Sequence, residues 1–154
     1  MQYTRTPVRR LINILEWTRI RLGIAPRQRF LLTVNGRRTG RPHTTPVAVV
    51  QHGSERWLVA PYGDVSWVQN ARAAGRVWLS RGRRREECEI AEVSPTAAGP
   101  ILQEYVTMEP ITRPFFGASV DTPVAAFAAD AAKHPVFLLR SPNTTKDLTT
   151  APAN

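Results

Sequence analysis

Cysteine, lysine and histidine are scarce in this sequence, and long apolar runs are absent. One cysteine among 154 residues, Cys88, excludes an internal disulfide and a multi-thiolate metal site, and it suits a reducing cytoplasm. The three histidines form no HxxxH or HxH pair, so we expect no metal centre. No apolar run approaches the roughly 18–20 residues of a membrane-spanning helix, and no secretory signal is recognisable. We therefore expect a single soluble, cytoplasmic domain.

Motifs for nucleotide binding and nucleophilic catalysis are also missing. The sequence contains no GxGxxG, no GxxxxGK[ST] and no GxSxG. Cys88 lies in a charged predicted strand without a positioned base, which favours an inert thiol. The acids of residues 86–92 are expected to pair with Arg81 and Arg83–Arg85 across a hairpin, not to form a catalytic carboxylate pair. Enzymatic activity would therefore need an external reactive group, such as an organic cofactor.

Positive charge is concentrated in the first half of the chain. Residues 1–85 carry 17 arginines, no lysine and three acids, which gives 17 − 3 = +14. Residues 86–154 carry four basic and nine acidic residues, which gives 4 − 9 = −5. Such a first half suits an anionic partner: nucleic acid, an anionic lipid surface, or a phosphorylated or carboxylated small molecule. Arginine as a general solubilising residue is the alternative, and it accounts poorly for the asymmetry.

Residues 1–25 are predicted to contain an amphipathic, basic helix. Apolar residues recur near helical spacing from Val8 to Leu22, with arginines between them. The apolar face is wide, so the helix either packs on the body of the protein or lies on a membrane surface.

The rest of the chain divides into short strands and a few helices. Strands are predicted at 29–35, 44–52, 56–62, 76–81, 84–93 and 135–140. Helices are predicted at 64–75 (capped by Asp64 or Ser66), 95–108 and 124–134, with an irregular loop at 110–123. The first three strands form an antiparallel meander, which indicates a small β-barrel or α+β domain over residues 26–141. Residues 142–154 are expected to form a disordered tail.

The segment GRRTGRPHTTP, residues 36–46, is the strongest candidate for an anion site. Its glycines would let the backbone turn with exposed N–H groups, and its three arginines would add charge-assisted hydrogen bonds. A solvated surface hairpin explains the same composition equally well.

Two motifs together resemble a known family. FLLTVNGRRTGRPHTTPV, followed by WLVAPYGD and SWVQNARAAGRV, is similar to the deazaflavin (F420)-dependent nitroreductase family of the split β-barrel flavin and deazaflavin oxidoreductases. The similarity covers roughly Phe30 to Glu92. It implies a six-stranded antiparallel split barrel with flanking helices, F420 as cofactor and, in many relatives, a homodimer. The chain departs from the family at Arg38, where lysine is usual, and at Ala71, where leucine is usual.

The resemblance also implies roles for individual residues. The turn would bind the coenzyme's phosphate and the start of its tail, the first three strands would border the deazaflavin ring, and the following helix would be anchored beside them. The cofactor-binding residues implied in this way are Leu32, Thr33, Arg37, Arg38, Thr39, Gly40, Arg41, Pro46, Val59, Ala60, Pro61, Tyr62, Gly63, Trp67 and Asn70. Residues 59–63 would present backbone N–H groups to the ring's carbonyl edge.

A reduced deazaflavin would explain why no catalytic side chain is recognisable, because it provides the hydride itself. The implied activity is F420H2-dependent reduction of a quinone, a nitroaromatic or another activated alkene. Phe115 and Phe116 would either cover the ring and shape the acceptor pocket or pack in the core. Tyr62 is a candidate hydrogen-bond donor to the acceptor.

Four alternatives stay open at this stage. The first is that the chain is an oxidoreductase of the same fold with FMN as its cofactor. The second is that it is a non-catalytic carrier of F420. The triple arginine 83–85 suggests a nucleic-acid binder, although no RNP, KH or helix-turn-helix motif accompanies it. The basic N-terminal helix would permit peripheral contact with the inner face of the cell membrane.

Overall fold

A computed structural model describes residues 7–117 and 119–142 of the chain. Within these residues, six antiparallel strands close into a barrel in the order β1-β2-β3-β6-β5-β4, which confirms the predicted fold class. The strands are β1 (Arg29–Asn35), β2 (Pro42–His52), β3 (Glu55–Val59), β4 (Arg76–Arg81), β5 (Arg84–Glu92) and β6 (Val136–Arg140). The helices are α1 (Pro7–Arg21), α2 (Ser66–Ala74), α3 (Pro95–Met108) and α4 (Val124–Asp130). The predicted tail lies, except for Pro142, outside the described residues.

The differences from the predicted elements have local causes. β3 ends at Val59 instead of residue 62, because Pro61 has no N–H group to continue the ladder. Val65 precedes α2 as its N-cap without a side-chain hydrogen bond, so the predicted cap by Asp64 or Ser66 is wrong. The predicted loop at 110–123 contains a 3-10 helix, Pro110–Phe115. The predicted last helix ends at Asp130 and continues as a 3-10 turn over Ala131–Lys133.

The barrel interior is filled by alternating aliphatic side chains from all six strands. α2 closes one end of the barrel with Val68 and Ala71, both fully buried. α3 and α4 cover the outer face of β2, β3 and β6 and form a second apolar cluster there. Burial on both sides of these strands is the main stabilising contribution expected for the fold.

Only the second half of α1 packs on the barrel. Ile20 is fully buried against Ala25 and Leu31, and Trp17 is partly buried beside them. The apolar residues of the first half are more than half exposed: Val8, Leu11, Ile12, Ile14 and Leu15. None of the helices in the described segments is long and apolar enough to cross a bilayer.

The first half of β2 is paired on one side only. Its ladder with β1 runs from Pro42 to Ala48, whereas its ladder with β3 begins at Val49. β3 instead continues along β6, so the segment after it, residues 60–63, diverges from β2. The barrel is therefore split at this edge, and residues 42–48 offer backbone groups that no neighbouring strand in the described chain engages.

Candidate functional site

The arginine-rich turn at residues 36–41 closes on itself. The Gly36 N–H donates to the Arg41 carbonyl at 2.8 Å, and the Gly40 N–H donates to the Gly36 carbonyl at 2.9 Å. Gly40 has a φ of 69°, the left-handed conformation that glycine adopts without strain. These two N–H groups therefore hold the turn together and are not exposed to an anion.

Asn70 of α2 fixes one arginine of the turn. Its side-chain oxygen accepts hydrogen bonds from the Arg37 backbone N–H at 3.1 Å and from the Arg37 guanidinium Nη1 at 2.8 Å. Asn70 is 5% exposed, so the acceptor of both hydrogen bonds is buried, while Arg37 itself is exposed. Asn70 was predicted to anchor its helix. In the structure it orients the turn, because its side chain accepts both hydrogen bonds from Arg37.

The neighbouring arginines of the turn remain on the surface. Arg38 and Arg41 are exposed, and no carboxylate of the described residues forms an ion pair with either one. The Thr39 hydroxyl accepts a hydrogen bond from the Arg41 N–H at 3.3 Å. The turn therefore presents uncompensated guanidinium groups beside the unpaired edge of β2, which is suitable geometry for an anion.

Five other arginines of the first half, Arg29, Arg56, Arg72, Arg76 and Arg81, are engaged within the protein. Glu86, Glu87 and Glu92 do not pair with Arg81 or Arg83–Arg85 as predicted, and of the three only Glu87 pairs across the β4–β5 hairpin, with Arg76. Each glutamate pairs with an arginine of another element: Glu86 with Arg56 of β3 (2.5 Å), Glu87 with Arg76 of β4 (3.0 Å) and Glu92 with Arg72 of α2 (2.7 Å). The charge asymmetry of the sequence therefore overstates the positive surface available to a partner.

The structure divides the predicted ring contacts into exposed and buried residues. Thr33 of β1 and Pro46 of β2 are partly exposed, and the Thr33 hydroxyl lies 2.8 Å from that of Thr44. Leu32 is fully buried in the barrel interior, so the predicted contact between Leu32 and a ring is wrong in this conformation. Val59 is likewise buried, on the face covered by α3 and α4.

Residues 60–63 present fewer N–H groups than predicted. The Ala60 N–H donates to the Pro135 carbonyl at 2.9 Å, and the Gly63 N–H donates to the Ala60 carbonyl at 3.3 Å. Pro61 has no N–H group. Those three residues therefore cannot donate hydrogen bonds to a ring carbonyl as expected, although Pro61, Tyr62 and Gly63 reach the surface.

A cleft of about 220 Å³ adjoins this segment. Its walls come from the 60–63 segment, the 3-10 helix Pro110–Phe115 and the residues before β6: Pro61, Tyr62, Gly63, Pro114, Phe115, Lys133 and His134. The rings of Tyr62 and Phe115 meet edge to face, with centroids 4.8 Å apart. Phe116 packs in the core instead, beneath the cleft. Core packing is thus observed for Phe116, whereas Phe115 lines the cleft and its contact with an acceptor stays a prediction.

His134 is a residue of the cleft that sequence reasoning missed. It is 4% exposed and stacks on Phe116 with ring centroids 4.0 Å apart. Burial lowers the pKa of His134 from its ordinary value, and Asp130, whose carboxylate lies 3.5 Å from Nε2, partly opposes this shift. Neither ring nitrogen has a well-aligned hydrogen bond within the described residues. An isolated histidine in AAKHP carries no sequence pattern that would have revealed this position.

Cys88 lies in the barrel interior and has no catalytic environment. Burial raises the pKa of its thiol to about 11, so the thiol is protonated at neutral pH. This agrees with the predicted inert cysteine.

Three solved structures share this fold. A protein described as a domain-swapped dimer aligns with a TM-score of 0.55 and 17% identity, over 88% of this chain and 100% of its own. An F420-H2 dependent reductase aligns with a TM-score of 0.52 and 19% identity, over 74% and 95%. A NimC/NimA family protein from Clostridium acetobutylicum aligns with a TM-score of 0.50 and 13% identity, over 73% of each chain. No curated protein gave a significant match.

The closed barrel with its split edge is the fold that this chain shares with these solved structures. The particular family follows from the sequence. A family model described as F420H(2)-dependent quinone reductase matches residues 14–127, which is 114 of the 154 residues. The chain belongs to this family. It is therefore an oxidoreductase with F420 as its coenzyme, as the sequence motifs predicted.

The residues present at the split edge fit this coenzyme. Its phosphate and carboxylate tail require fixed cationic donors, and the turn presents Arg38 and Arg41 beside an Arg37 held by Asn70. Its ring requires a flat slot with backbone hydrogen-bonding groups, and the one-sided edge of β2 provides such groups.

Proposed function

We propose that the chain reduces a quinone or a similar flat, activated acceptor, such as a nitroaromatic or an activated alkene, at the expense of F420H2. The observation that carries this proposal is the position of the aromatic cleft beside the 60–63 segment, which follows directly on the split edge. Coenzyme and acceptor would thus meet across residues 61–63.

Binding of the coenzyme is assigned to the 36–41 turn and the edge of β2. Arg38 and Arg41 would bind the phosphate and tail, and Arg37, oriented by Asn70, would hold the turn in position. Thr33 and Pro46 would border the ring from the outer face of the sheet. Trp67 is half-buried against the barrel core and would support the helix that carries Asn70.

The cleft is suited to an aromatic acceptor. Phe115 and Tyr62 form two walls at nearly right angles, with an interplanar angle of 86°, and Pro61 and Pro114 add rigid apolar surface. When bound, the reduced coenzyme supplies a hydride. The residues of the chain orient the two molecules and keep water from the space between them. A flat ring would be favoured by its contact area with the two aromatic walls.

Turnover measurements distinguish the acceptor classes. Oxidation of F420H2 by the purified protein would be followed under anaerobic conditions with menadione, a nitroaromatic and a cyclic enone as acceptors. The proposal predicts the highest kcat/KM for the quinone. Tight F420 binding without turnover of any acceptor would instead identify a carrier protein, and tighter binding of FMN than of F420 would contradict the coenzyme assignment.

Peripheral contact with a membrane is proposed for the first half of α1. Five apolar residues there are more than half exposed, and Arg10 and Arg19 are exposed on the same helix. A basic helix with exposed apolar side chains matches the pattern of interfacial helices, and a quinone acceptor would partition into the same bilayer.

Vesicle co-sedimentation with anionic lipid tests the membrane contact. Leu11→Asp with Leu15→Asp is expected to abolish binding, whereas Ile111→Asp, which changes an even more exposed apolar residue elsewhere, is expected to leave it unchanged. A homodimer is the competing proposal for this face. A lipid-free dimer that dissociates in the Leu11→Asp, Leu15→Asp variant would assign the face to a second copy of the chain.

A further inference from the structure

A second, larger cleft lies at the end of the barrel opposite the coenzyme turn. The turn follows Asn35 at the end of β1, whereas the β4–β5 hairpin lies beside the start of β1, with Leu31 opposite Ser80. Seven residues of β1 separate the two sites, about 20 Å at roughly 3.3 Å per residue. The cleft has a volume of about 920 Å³ and is lined by Gly23, Phe30, Arg56, Leu79, Arg81, Arg83, Arg84, Arg85 and Glu86.

Two of the arginines in this cleft are engaged by the protein itself. Arg56 forms a bidentate pair with Glu86, with N–O distances of 2.5 and 3.0 Å. Arg81 donates to the carbonyls of the segment after α1, including that of Pro26 at 2.7 Å and that of Arg29 at 3.1 Å. These two side chains therefore shape the cleft and are not available to a ligand.

The three consecutive arginines of the hairpin remain. Arg83, Arg84 and Arg85 are exposed, and no carboxylate of residues 7–117 or 119–142 forms an ion pair with them. Arg85 lies over the ring of Trp78, 5.7 Å from its centroid, which directs that side chain across the sheet. The result is a concentrated positive charge at the mouth of a cavity, where it attracts anions more strongly than on a flat surface.

The cleft also has an apolar component. Phe30 and Leu79 form part of its wall, and Leu79 belongs to the barrel core. Leu22 and Ile24, on either side of Gly23, are each 66% exposed. Apolar surface next to uncompensated guanidinium groups matches an anion that carries a hydrocarbon portion.

The hairpin is held rigidly against the end of α1. The Gly82 N–H donates to the Ile20 carbonyl at 2.9 Å, and Gly82 and Gly23 both have positive φ values, 56° and 73°. A side-chain carbon on Gly82 would lie 3.5 Å from the Gly23 Cα, so the two backbones are in close contact. The arginines that follow the turn thus extend from a fixed backbone, which lowers the entropic cost of binding.

We propose that this cleft is a second binding site, for an amphiphilic anion: a phosphate or carboxylate group on an apolar chain. The guanidinium groups of Arg83 and Arg84 bind the head group, with Arg85 adding positive charge beside them, and Phe30 and the flanking residues Leu22 and Ile24 contact the apolar part. A nucleic acid fits less well, because the ring of Trp78 is covered by Arg85 and not presented to a base. The proposal does not depend on the reaction assigned to the coenzyme site.

Isothermal titration with dodecyl phosphate, below its micelle-forming concentration, tests the site. The wild-type protein is expected to bind dodecyl phosphate, and the Arg83→Gln, Arg84→Gln, Arg85→Gln variant is expected to bind it at least tenfold more weakly. The Arg37→Ala, Arg38→Ala variant serves as the matched control and should retain this binding. F420 binding should be retained by the triple variant, which separates this site from the coenzyme site.

Two further probes identify the source of the anion and the role of the apolar wall. Binding of the wild type, but not the triple variant, to phosphatidylglycerol vesicles assigns a lipid head group, whereas binding of dodecyl phosphate alone assigns a free anion. Equal affinity for inorganic phosphate and dodecyl phosphate would overturn the proposal, since the apolar wall would then contribute nothing. Undiminished dodecyl phosphate binding by the triple variant, or tighter binding of a single-stranded oligonucleotide, would also overturn it.

Discussion

The two ends of the barrel are both rich in arginine, yet they use it differently. At the split edge, the Arg37 guanidinium is held by the neutral side chain of Asn70, and its neighbours stay free for a ligand. At the opposite end, Arg81 and Arg56 bind carbonyls and a carboxylate of the protein itself, and only the adjacent Arg83, Arg84 and Arg85 have no carboxylate partner among the described residues. The comparison teaches that the number of arginines in a segment says little about its function. What decides the function is whether the guanidinium groups already have partners.

Arg81→Ala is expected to have the largest effect on stability. The substitution leaves several carbonyls between Gly23 and Arg29 without their charged donor, so the free energy of unfolding should fall by about 2–3 kcal/mol. Chemical denaturation measures this change. Arg84→Gln, on the same hairpin, should stay within about 0.5 kcal/mol of the wild type. Equal destabilisation by the two substitutions would contradict the distinction between arginines that have partners within the protein and arginines that do not.

Asn70→Leu is expected to weaken F420 binding by about 10- to 100-fold. The substitution keeps an apolar side chain of similar size in a buried position but removes the acceptor for both Arg37 bonds, each of ordinary strength. Fluorescence titration of the coenzyme gives the dissociation constant. Gln69→Leu, a neighbour on the same helix, serves as the control. Wild-type affinity in Asn70→Leu would show that the turn does not need this support.

Phe115→Ala is expected to raise the KM for a quinone by about tenfold, with little change in the dissociation constant of F420. Phe115 forms an aromatic wall of the cleft, whereas the coenzyme phosphate is assigned to the 36–41 turn. Steady-state kinetics with several quinone concentrations measures the effect. An unchanged KM would place the acceptor outside this cleft.

His134→Gln is expected to alter the pH dependence of stability, the smallest of these effects. The pKa of His134 is lowered in the folded state by burial, so its contribution is fully present above the ordinary value near 6.5 and is lost as pH falls through the folded value. The His134→Gln variant should not lose this contribution to stability as the pH falls. One proton limits the difference in slope to about 1.4 kcal/mol per pH unit. Parallel curves for both proteins between pH 4 and 8 would contradict the expectation.

The fold was largely predictable because its signals are local. Alternating apolar residues and turn glycines gave all six strands within a few residues, and β1 and β4 with the observed bounds. Two predictions were wrong at prolines: β3 ends before Pro61 and not at residue 62, and the segment beginning at Pro110 forms a 3-10 helix instead of a loop.

The site was predictable only where its residues are adjacent in sequence. The 36–46 turn follows from its composition, but the contact between Arg37 and Asn70 spans 33 positions and depends on how α2 closes the barrel. Alternate residues of a strand face opposite sides of the sheet, and the motif does not show which side Leu32 faces. The cleft at Phe115 and His134 requires the chain to return beside residue 62, and no local pattern encodes that return.

The most direct test of the central claim is the dissociation constant of F420 for Arg37→Ala with Arg38→Ala, beside the wild type and Arg27→Ala. Arg27 is an exposed arginine outside the turn, so the control removes charge without touching the site. If the anchored turn binds the anionic part of the coenzyme, the double variant should bind about 100-fold more weakly and the control like the wild type. Equal affinity for all three proteins would contradict the assignment of the coenzyme site to this turn.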